Sequence, residues 1–520
     1  MSRIFIIFWF GLCLLNCTKP ELHPQKTLKI GSKTLEDRFQ SYGLNGDGLS
    51  DDTKGLQKLV NDSAVIYLKA GIYLISETII LPSGVQLIGQ EGTIIIASRA
   101  MRNTLLYNGR FFSASSSDHV LIKNVQFKSE SLDFKFSKWN NACIFILNSK
   151  GVVVENCFFN FKLPYSVIGM EAVWVSGGQS KRNIIRKNNI YSLGIKYAEN
   201  GADSTIVEQN IINHSYSNAI TGNGNNSEDE ILGAQITNNL ISEAGRMGIE
   251  DWGNTVGTII DGNQLAGTGI DVAQALEGIG ISAVGVNTVV KNNEVTDSRV
   301  YAIEVRGNYG VEVSNNVLRN NPLATGIILN FTFDAPKINL AAANVDKNLI
   351  ENCEKGIHIF GDYQGKVSIN NNKFHDIISK AISLESGALY YEIRISFNQF
   401  IFDKKTAIDR FAFFSYTKYK SGEAKQMVWT SDNRIEYGAG TANGTGMDFG
   451  FIIRTDNTTI NKLFVKGNNN RNVADRKILA ISDLGGRPDR CIITNNEIYG
   501  AITELSGFTN LIQYNNTVKE

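Results

Sequence analysis

The stretch VEVSNNVL, residues 311–318, shows the pattern that repeats along most of this 520-residue chain. Apolar and polar residues alternate up to a pair of asparagines, and an apolar residue follows. Because successive side chains of a strand point to opposite faces, this alternation predicts a β-strand and not a helix. Similar stretches surround fifteen asparagines: Asn124, Asn156, Asn189, Asn210, Asn239, Asn263, Asn293, Asn316, Asn348, Asn372, Asn398, Asn433, Asn468, Asn496 and Asn516.

The asparagines recur at a nearly constant interval, for example 24 residues from Asn239 to Asn263 and 23 from Asn293 to Asn316. About nine residues after most of them, a small residue precedes an apolar one, as in Gly248-Ile249, and a second strand is expected to begin there. A fixed period built from short strands predicts a solenoid. We therefore predict an all-β chain that folds as a single-stranded parallel β-helix, with inward Ile, Val, Leu and Phe stacked into one core.

Asparagine suits the turns of such a solenoid for two reasons. It tolerates left-handed backbone geometry, and stacked asparagine side chains can form a hydrogen-bonded ladder. Almost every asparagine is therefore interpreted as structural rather than functional.

The overall composition limits the possible functions. Lys plus Arg (51) equals Asp plus Glu (51), and no basic run stands out, which argues against nucleic acid as a partner. Cys143, Cys157, Cys353 and Cys491 lack the spacing of a metal site and are interpreted as buried thiols. Because one repeat covers most of the chain, we expect one long domain over residues 41–520.

The amino terminus is predicted to be an export signal. An apolar run at residues 4–15 follows Arg3, and LLNC at residues 14–17 resembles a bacterial lipobox, in which the cysteine becomes the lipidated first residue. This predicts a signal peptide over 1–17, lipidation of Cys17 and a tether over 18–40. The protein would then be exported and lipid-anchored to the membrane of the bacterial cell envelope, at the outer membrane or cell surface. An ordinary cleaved export signal is the alternative.

Residues 42–57, YGLNGDGLSDDTKGLQ, resemble the opening signature of the pectate-lyase-like β-helix superfamily, approximately GDGxTDDTxAIQ. The branch that they resemble includes rhamnogalacturonases, epimerase-associated domains and phage tailspikes. The alternating strands expected over residues 65–96 continue the resemblance, which covers about residues 42–97. It implies a right-handed parallel β-helix with an N-terminal cap, and a hydrolase, lyase or epimerase that acts on a polysaccharide.

The same stretch predicts a short capping helix on physical grounds. Ser50 or Asp51 can cap a helix whose apolar positions, Leu56, Leu59 and Val60, follow at helical spacing. Such a helix would cover the open end of the solenoid, where strand edges are otherwise unpaired. The alternative, a calcium loop formed by Asp47, Asp51 and Asp52, lacks the glutamate at the twelfth position.

Aligning the repeats on the small–apolar pair places one outward residue per repeat directly after the apolar one. This first column contains Lys196, Glu250, Glu304 and His358, and a second column two positions later contains Trp252, Arg306 and Asn330. Adjacent strands lie about 4.8 Å apart, so Glu250 and Glu304 are expected roughly 10 Å apart. Asp271 and Ser282 compete for the position between them, and Asp271 there would place three acids in a row. Asp251 falls on an inward position, with Arg246 as its nearest candidate partner.

Two carboxylates beside an arginine and a tryptophan are typical of a polysaccharide site. The predicted catalytic residues are Glu250, Glu304, Arg306 and Asp271, and the predicted substrate-binding residues are Trp252, Lys196, His358, Asn330 and Arg246. Glycoside hydrolysis needs a protonated and an ionised carboxyl group. A lyase instead needs a base and a cation beside a uronate, and Lys196, Arg306 and His358 could supply these.

The pattern leaves hydrolase and lyase open, with an acidic, uronate-containing glycan as the expected substrate. No cofactor is required and no metal site is predicted, although Ca²⁺ would be possible in a lyase. The alternative is a carbohydrate-binding or structural solenoid without catalysis, because polar residues are normal on a solvated sheet face.

Overall fold

The computed structural model shows a solenoid in which each coil consists of three short parallel strands. It describes residues 39–99, 101, 109–129, 141–166, 168–224, 230–306, 310–331, 341–361, 365–386, 390–404, 408–417, 425–437 and, within 448–519, the strands given below and residues 515–516. The predicted signal peptide and Cys17, most of the predicted tether, Asn468 and Asn496 lie outside the described residues.

Stacking the coils produces three long parallel sheets, which we call sheets 1, 2 and 3 in the order in which one coil visits them. In one coil these strands are Val289–Lys291, Glu294–Thr296 and Tyr301–Arg306. The all-β parallel β-helix is therefore confirmed, although the sequence predicted two strands per repeat. The run around each asparagine is in fact bent into two strands that belong to sheets 1 and 2.

Sheet 1 contains the strands that precede the asparagines. They are Val65–Leu68, Gln86–Gly89, Leu121–Lys123, Val153–Glu155, Ile184–Arg186, Ile206–Glu208, Gln235–Thr237, Ile259–Asp261, Val289–Lys291, Val311–Ser314, Ala341–Asp346, Gly365–Asn370, Tyr390–Ser396, Lys425–Ser431, Asn457–Asn461, Arg490–Thr494 and Leu511–Tyr514.

Sheet 2 contains the strands that follow the asparagines. They are Asp47–Asp51, Gly71–Ile75, Thr93–Ala97, Gln126–Lys128, Phe158–Asn160, Asn189–Tyr191, Ile211–Asn213, Leu240–Ala244, Gln264–Thr268, Glu294–Thr296, the first part of Val317–Asn330, the first part of Leu349–Phe360, Lys373–His375, Gln399–Phe402, Arg434–Tyr437, Phe464–Lys466, Glu497–Tyr499 and Thr517–Lys519.

Sheet 3 contains the strands that begin near the small–apolar pairs. They are Ile79–Ile80, Arg110–Ser115, Ala142–Leu147, Glu171–Ser176, Gly194–Glu199, Ile220–Gly224, Ile249–Gly253, Ile279–Ala283, Tyr301–Arg306, the second parts of Val317–Asn330 and Leu349–Phe360, Lys380–Ser386, Arg410–Thr417, Asp448–Ile453, Lys477–Ser482 and Ala501–Ser506. A separate pair, Ile231–Leu232 with Thr255–Val256, lies outside the three sheets.

A buried asparagine ladder runs between sheets 1 and 2. From Asn210 onward, each ladder Oδ1 accepts hydrogen bonds from the backbone N–H and the Nδ2 of the ladder asparagine one coil earlier, at 2.9–3.1 Å. The ladder consists of Asn188, Asn210, Asn239, Asn263, Asn293, Asn316, Asn348, Asn372, Asn398 and Asn433.

The left-handed backbone position is the residue before each ladder asparagine, not the ladder residue itself. Asn292 has φ 55° and lies on the surface, whereas the following Asn293 is buried in the ladder. In the early coils Asn124 and Asn156 occupy the left-handed position, and Cys157 takes the place of a ladder asparagine. Asparagine therefore serves both predicted purposes, but at adjacent positions of the chain.

The predicted capping helix is present as Thr53–Asp62 and buries Leu56, Leu59 and Val60. Its N-cap residue is Asp52, so the prediction of Ser50 or Asp51 is wrong by one or two positions. The Asp52 carboxylate accepts hydrogen bonds from the backbone N–H groups of Asn45 and Gly46, at 2.7 and 3.2 Å, and so fixes the preceding loop.

The other two aspartates of the signature also bind groups of the chain. Asp47 accepts from the N–H groups of Leu49 and Ser50, each at 2.8 Å. Asp51 accepts from the Thr53 N–H at 3.0 Å. The three carboxylates therefore organise the cap individually, as the capping interpretation predicts.

Gln57, the last residue of the signature, pairs with the backbone at the edge of sheet 3. Its Nε2 donates to the Ile80 carbonyl at 2.9 Å, and its Oε1 accepts from the Ile80 N–H at 2.8 Å. The amide thus replaces the missing neighbouring strand, which explains how the helix protects an edge that could otherwise pair with another chain.

The ordered body begins no later than residue 39, because Phe39 is buried and its carbonyl accepts from the N–H of Tyr42. Residues 39–40, which the sequence assigned to the tether, therefore belong to the body. Cys143, Cys157 and Cys353 are buried free thiols, as predicted. From residue 39 onward, the part of the chain that the structure describes contains no helix that is long and apolar enough to cross a membrane.

Candidate functional site

A cleft of about 780 Å³ lies on the outer face of sheet 3, in the middle third of the solenoid. Of the nine predicted site residues, seven line it, namely Lys196, Arg246, Glu250, Trp252, Glu304, Arg306 and Asn330. Asp271 and His358 do not.

Strand pairing reproduces the first outward column that the sequence predicts. Lys196 pairs with Thr221, and Thr221 pairs with Glu250. The next partner of Glu250 is Ser282, which in turn pairs with Glu304. The two glutamates therefore lie two coils apart, about 10 Å along the axis.

Asp271 does not occupy the position between the two glutamates, so that alternative is wrong. Its carboxylate caps the 3-10 helix Val272–Glu277, accepting from the Ala273 N–H at 3.0 Å and from Gln274 Nε2 at 2.8 Å. The segment is an insertion that leaves the coil before the strand Ile279–Ala283 begins. Its last residue, Glu277, lines one side of the cleft.

Glu250 is buried and held by three groups. Asn218 Nδ2 and the Thr221 hydroxyl donate to its Oε2 at 2.6 and 2.9 Å. Arg246 Nη1 lies 3.4 Å from its Oε1. These partners fix the carboxylate in one orientation at the base of the cleft.

Glu304 is more isolated. It is 4% exposed, and the Ser282 hydroxyl donates to its Oε2 at 2.8 Å. Burial raises the pKa of Glu304 above its usual value, the Ser282 hydrogen bond and Arg306 oppose this, and the negative charge of Glu250 adds to it. The two glutamates therefore have different surroundings within one cleft.

Arg246 was predicted to pair with the inward Asp251, and this is wrong. Arg246 binds Glu277 through Nε and faces Glu250. Asp251 is fully buried inside the solenoid, where it accepts from the hydroxyl of Tyr197 at 2.6 Å and from those of Thr258 and Thr288 at 3.1 Å. Burial raises the pKa of Asp251.

The second column forms an aromatic and cationic surface beside the glutamates. The Arg306 guanidinium lies 4.9 Å from the centre of the Trp252 ring, which connects two strands of the cleft through a cation–π contact. Lys196 Nζ lies 4.2 Å from the Trp174 ring and 3.1 Å from Glu199 Oε1.

His358 lies in the first column two coils beyond Glu304, with Ile328 between them. Its ring centre is 6.0 Å from that of Phe360, outside the cleft. The sequence therefore assigned His358 to the correct column. In the structure, however, His358 lies too far along the axis to belong to the site.

Glu171 lies in the cleft, and the sequence analysis missed it. It is 7% exposed, and the Tyr216 hydroxyl donates to its Oε1 at 2.9 Å. Its Oε2 has no hydrogen-bond partner among the described residues. Burial raises the pKa of Glu171 to about 7, with Lys196 and the Tyr216 hydrogen bond opposing the shift.

A third column explains how Glu171 could have been found. Residues directly before the small residue of each pair also face the cleft, and they include Glu171, Asn218, Met247, Ile279 and Tyr301. The alignment that gave the first two columns contains this position, but only positions after the apolar residue were considered.

The charges of the lining are mostly paired and slightly acidic in sum. The charged lining residues are Glu171, Glu199, Glu250, Glu277, Glu304, Lys196, Arg246 and Arg306. Nowhere in the described part of the chain do three or more His, Cys, Asp or Glu side chains form a group that could hold a metal ion.

Comparison with protein families gives two matches. Residues 39–162 match the family "Rhamnogalacturonase A/epimerase, pectate lyase-like", and residues 218–409 match "Right handed beta helix region". The second match contains most of the cleft residues.

Individual relatives are distant. Over 74 residues, 14% of this chain, the sequence is 32% identical to the non-secreted LysM effector LysM19 of Penicillium expansum, and it spans only 6% of that protein. The surface adhesin PfbA of Streptococcus pneumoniae is similar over 74% of this chain and 94% of its own, with 15% identity and a TM-score of 0.48. The catalytic unit of a GH87 α-1,3-glucanase from Streptomyces thermodiastaticus is similar over 82% and 67%, with 12% identity and a TM-score of 0.38.

Proposed function

We propose that this right-handed parallel β-helix, which matches a pectate-lyase-like family over residues 39–162, is a glycoside hydrolase that cleaves a polysaccharide bound along sheet 3. The observation that carries this proposal is the pair Glu250 and Glu304, two buried carboxyl groups in one open cleft with different surroundings. Glycoside hydrolysis uses such a pair, one group as acid and the other as base or nucleophile.

Glu304 is suited to be the general acid. Burial raises its pKa, which favours the protonated form that can donate to the glycosidic oxygen. Donation of this proton accompanies cleavage of the bond between the anomeric carbon and the leaving oxygen. The Ser282 hydroxyl holds the carboxyl group in place.

Glu250 is suited to be the base that activates water. Asn218, Thr221 and Arg246 orient its carboxylate, and all three interact favourably with negative charge. The water oxygen attacks the anomeric carbon while Glu250 takes the proton of the water. The two residues lie two coil steps apart, about 10 Å along the axis, which leaves room for a water molecule between them, so we expect inversion.

Trp252 and Arg306 would bind the sugar beside the reacting bond. An indole ring packs against the apolar face of a sugar, and a guanidinium donates several hydrogen bonds. Because the two side chains stack on each other, each restricts the movement of the other. The surface is therefore ordered before the substrate arrives.

The charges of the cleft give the predicted acidic glycan little support. Arg246 faces Glu250 and Glu277, and Lys196 pairs with Glu199, so the positive charge of both is already balanced. We therefore propose a glycan with few uronate groups. Lyase chemistry is less well supported, because Lys196 is ion-paired and His358 lies outside the cleft.

A screen of the purified protein on neutral and acidic polysaccharides tests the proposal. We expect new reducing ends without the ultraviolet absorbance of unsaturated uronates, and inverted anomeric configuration by NMR. Glu250→Gln and Glu304→Gln should each lower kcat about a hundred- to ten-thousandfold. Glu294→Gln, which changes a partly exposed glutamate on sheet 2 that pairs with Arg319 outside the cleft, is the matched control and should leave kcat unchanged.

The other outcomes identify the rival functions. Unsaturated products would identify a lyase, and normal activity of both glutamate variants would remove these residues from the mechanism. Binding without any product would identify a carbohydrate-binding solenoid. Because no metal takes part in the proposed steps, we expect a chelator to leave the activity unchanged.

We also propose that the protein is exported and anchored to the cell envelope by a lipid on Cys17. The support is the apolar run at residues 4–15 followed by LLNC at 14–17. A polysaccharide substrate outside the cytoplasm agrees with this location.

A further inference from the structure

The Glu171 end of the cleft contains a buried hydrogen-bond acceptor that the proposed reaction does not use. Glu171 lines the cleft and is only 7% exposed. Its Oε2 has no hydrogen-bond partner among the described residues. A buried carboxylate oxygen without a donor is unfavourable, because water no longer solvates it. A ligand group that donates a hydrogen bond would satisfy it.

The surroundings hold this oxygen in a fixed position. Tyr216, from a turn two coils further along, donates to Oε1 and so fixes the carboxyl group. Gly194, in the next strand of sheet 3, leaves space for Oε2, since a β-carbon at that position would lie 2.7 Å from it. The carboxyl group is therefore oriented before any ligand binds.

The position of Glu171 relative to Glu250 sets the length of ligand that could contact both. Strands Glu171–Ser176, Gly194–Glu199, Ile220–Gly224 and Ile249–Gly253 are consecutive in sheet 3. Three coil steps correspond to about 14 Å along the axis. A single sugar ring is much shorter than this, so only an oligosaccharide could reach from the reacting pair to Glu171.

We propose that Glu171 forms a subsite, several sugar units from the reacting bond, that accepts a hydrogen bond from a hydroxyl or ammonium group of the glycan. This inference rests on the proposed use of the cleft for a polysaccharide. The local charge favours such a donor over a uronate, because Glu171 and Glu199 face the single cation Lys196 among the charged lining residues at this end. A raised pKa allows Glu171 to adjust its charge to either donor.

Binding of defined oligosaccharides to the full chain tests this subsite. The probes are hexamers and dimers of glucose, glucosamine and galacturonic acid, measured by calorimetry with wild type and Glu171→Gln. Glutamine retains an oxygen for Tyr216 but replaces the second oxygen with an amide N–H group, which cannot accept. We expect hexamer affinity to fall about ten- to hundredfold, with dimer affinity nearly unchanged.

The glucose and glucosamine series distinguish the donors. If a hydroxyl is the donor, glucose and glucosamine hexamers lose affinity alike, and if an ammonium is the donor, only the glucosamine hexamer does. Glu294→Gln is the control, and a cooperative thermal unfolding transition shows that Glu171→Gln still folds. Unchanged hexamer affinity, an equal loss for dimers and hexamers, or no binding of any hexamer to wild type would overturn the subsite.

The same experiment separates the subsite from the reaction. Cleavage of a hexamer that is unaffected by Glu171→Gln would refute the subsite and leave the hydrolase intact. Hexamer binding that depends on Glu171, without any cleavage, would support the subsite and refute the hydrolase.

Discussion

Ser282 lies between Glu250 and Glu304 in the first column, and its hydroxyl donates to Glu304 at 2.8 Å. This hydrogen bond favours the ionised carboxylate, so Ser282→Ala should raise the pKa of Glu304 further. A general acid must be protonated to act, and its activity is lost as the pH rises through its pKa. The alkaline limb of the pH–rate profile should therefore move to higher pH, as kinetics across a pH series would show.

Ser383 provides the matched control for this prediction. It occupies the same column three coils beyond Glu304 and is also buried, but lies outside the cleft. Ser383→Ala should leave the profile unchanged. A shift of the alkaline limb to lower pH in Ser282→Ala would assign Glu304 a role other than that of the acid.

Glu171 should also make the stability of the protein depend on pH. Its folded-state pKa of about 7 exceeds the usual 4.5, so its contribution is fully present below about 4.5 and is lost as the pH rises through 7. A shift of this size corresponds to roughly 3 kcal/mol. Denaturation at pH 5 and pH 8 should show a smaller loss of stability for Glu171→Gln than for wild type, and an equal loss would contradict the shift.

The observed positions of the predicted site residues show which placements the repeat pattern could predict. Glu250, Glu304, Trp252 and Arg306 were placed correctly because strand pairing follows the period of the repeat. Asp271 was misplaced because it follows Gly269-Ile270, which has the small–apolar pattern but precedes an insertion. Only the 3-10 helix Val272–Glu277 shows that the coil resumes later. The partners of Arg246 could not be predicted, because its contact with Glu277 joins the coil to that insertion.

At the scale of the structural element, the asparagine ladder should be a main source of stability. Asn293 accepts from the backbone N–H and the Nδ2 of Asn263, and it donates to the Ile260 carbonyl and to Asn316. Asn293→Ala would leave buried groups unpaired on both neighbouring coils, at a cost of about 3 kcal/mol or more. Chemical denaturation should show this loss.

The adjacent Asn292 tests the distinction between the two asparagine positions. It is exposed, has φ 55° and donates to Asp261 at 2.8 Å on the surface. Asn292→Gly suits this backbone geometry and should cost less than about 1 kcal/mol. If both substitutions cost the same, the ladder would not be the stabilising element.

The strands themselves were predictable, but their division was not. Alternation in VEVSNNVL identified a strand, whereas the left-handed Asn315 bends that run into separate strands of sheets 1 and 2. Both adjacent asparagines tolerate left-handed backbone geometry, so the sequence alone does not show which of the two adopts it. In the cap, the apolar spacing predicted the helix. The hydrogen bonds of Gln57 with Ile80 could not be predicted, because they depend on tertiary structure.

At the scale of the whole molecule, the site depends on an unbroken stack of coils. The cleft extends from the strand Glu171–Ser176 to the strand that ends at Asn330. Each coil contributes few side chains, so no single stretch of sequence contains the site. One wall comes from the insertion that carries Glu277, as expected if loops leave a solenoid on its working side.

The attachment of the whole molecule to a membrane should depend on Cys17. If this cysteine is lipidated, the full chain expressed in a bacterium should sediment with the membranes and require detergent for release, because a lipid with two or more acyl chains gives stable anchoring. Cys17→Ala should remove the acylation site and lower the membrane-bound fraction. A chain that begins at residue 39 should be soluble and retain oligosaccharide binding, since Phe39 already packs into the body. Sedimentation of Cys17→Ala equal to that of wild type would refute the anchor while leaving the cleft and its chemistry unaffected.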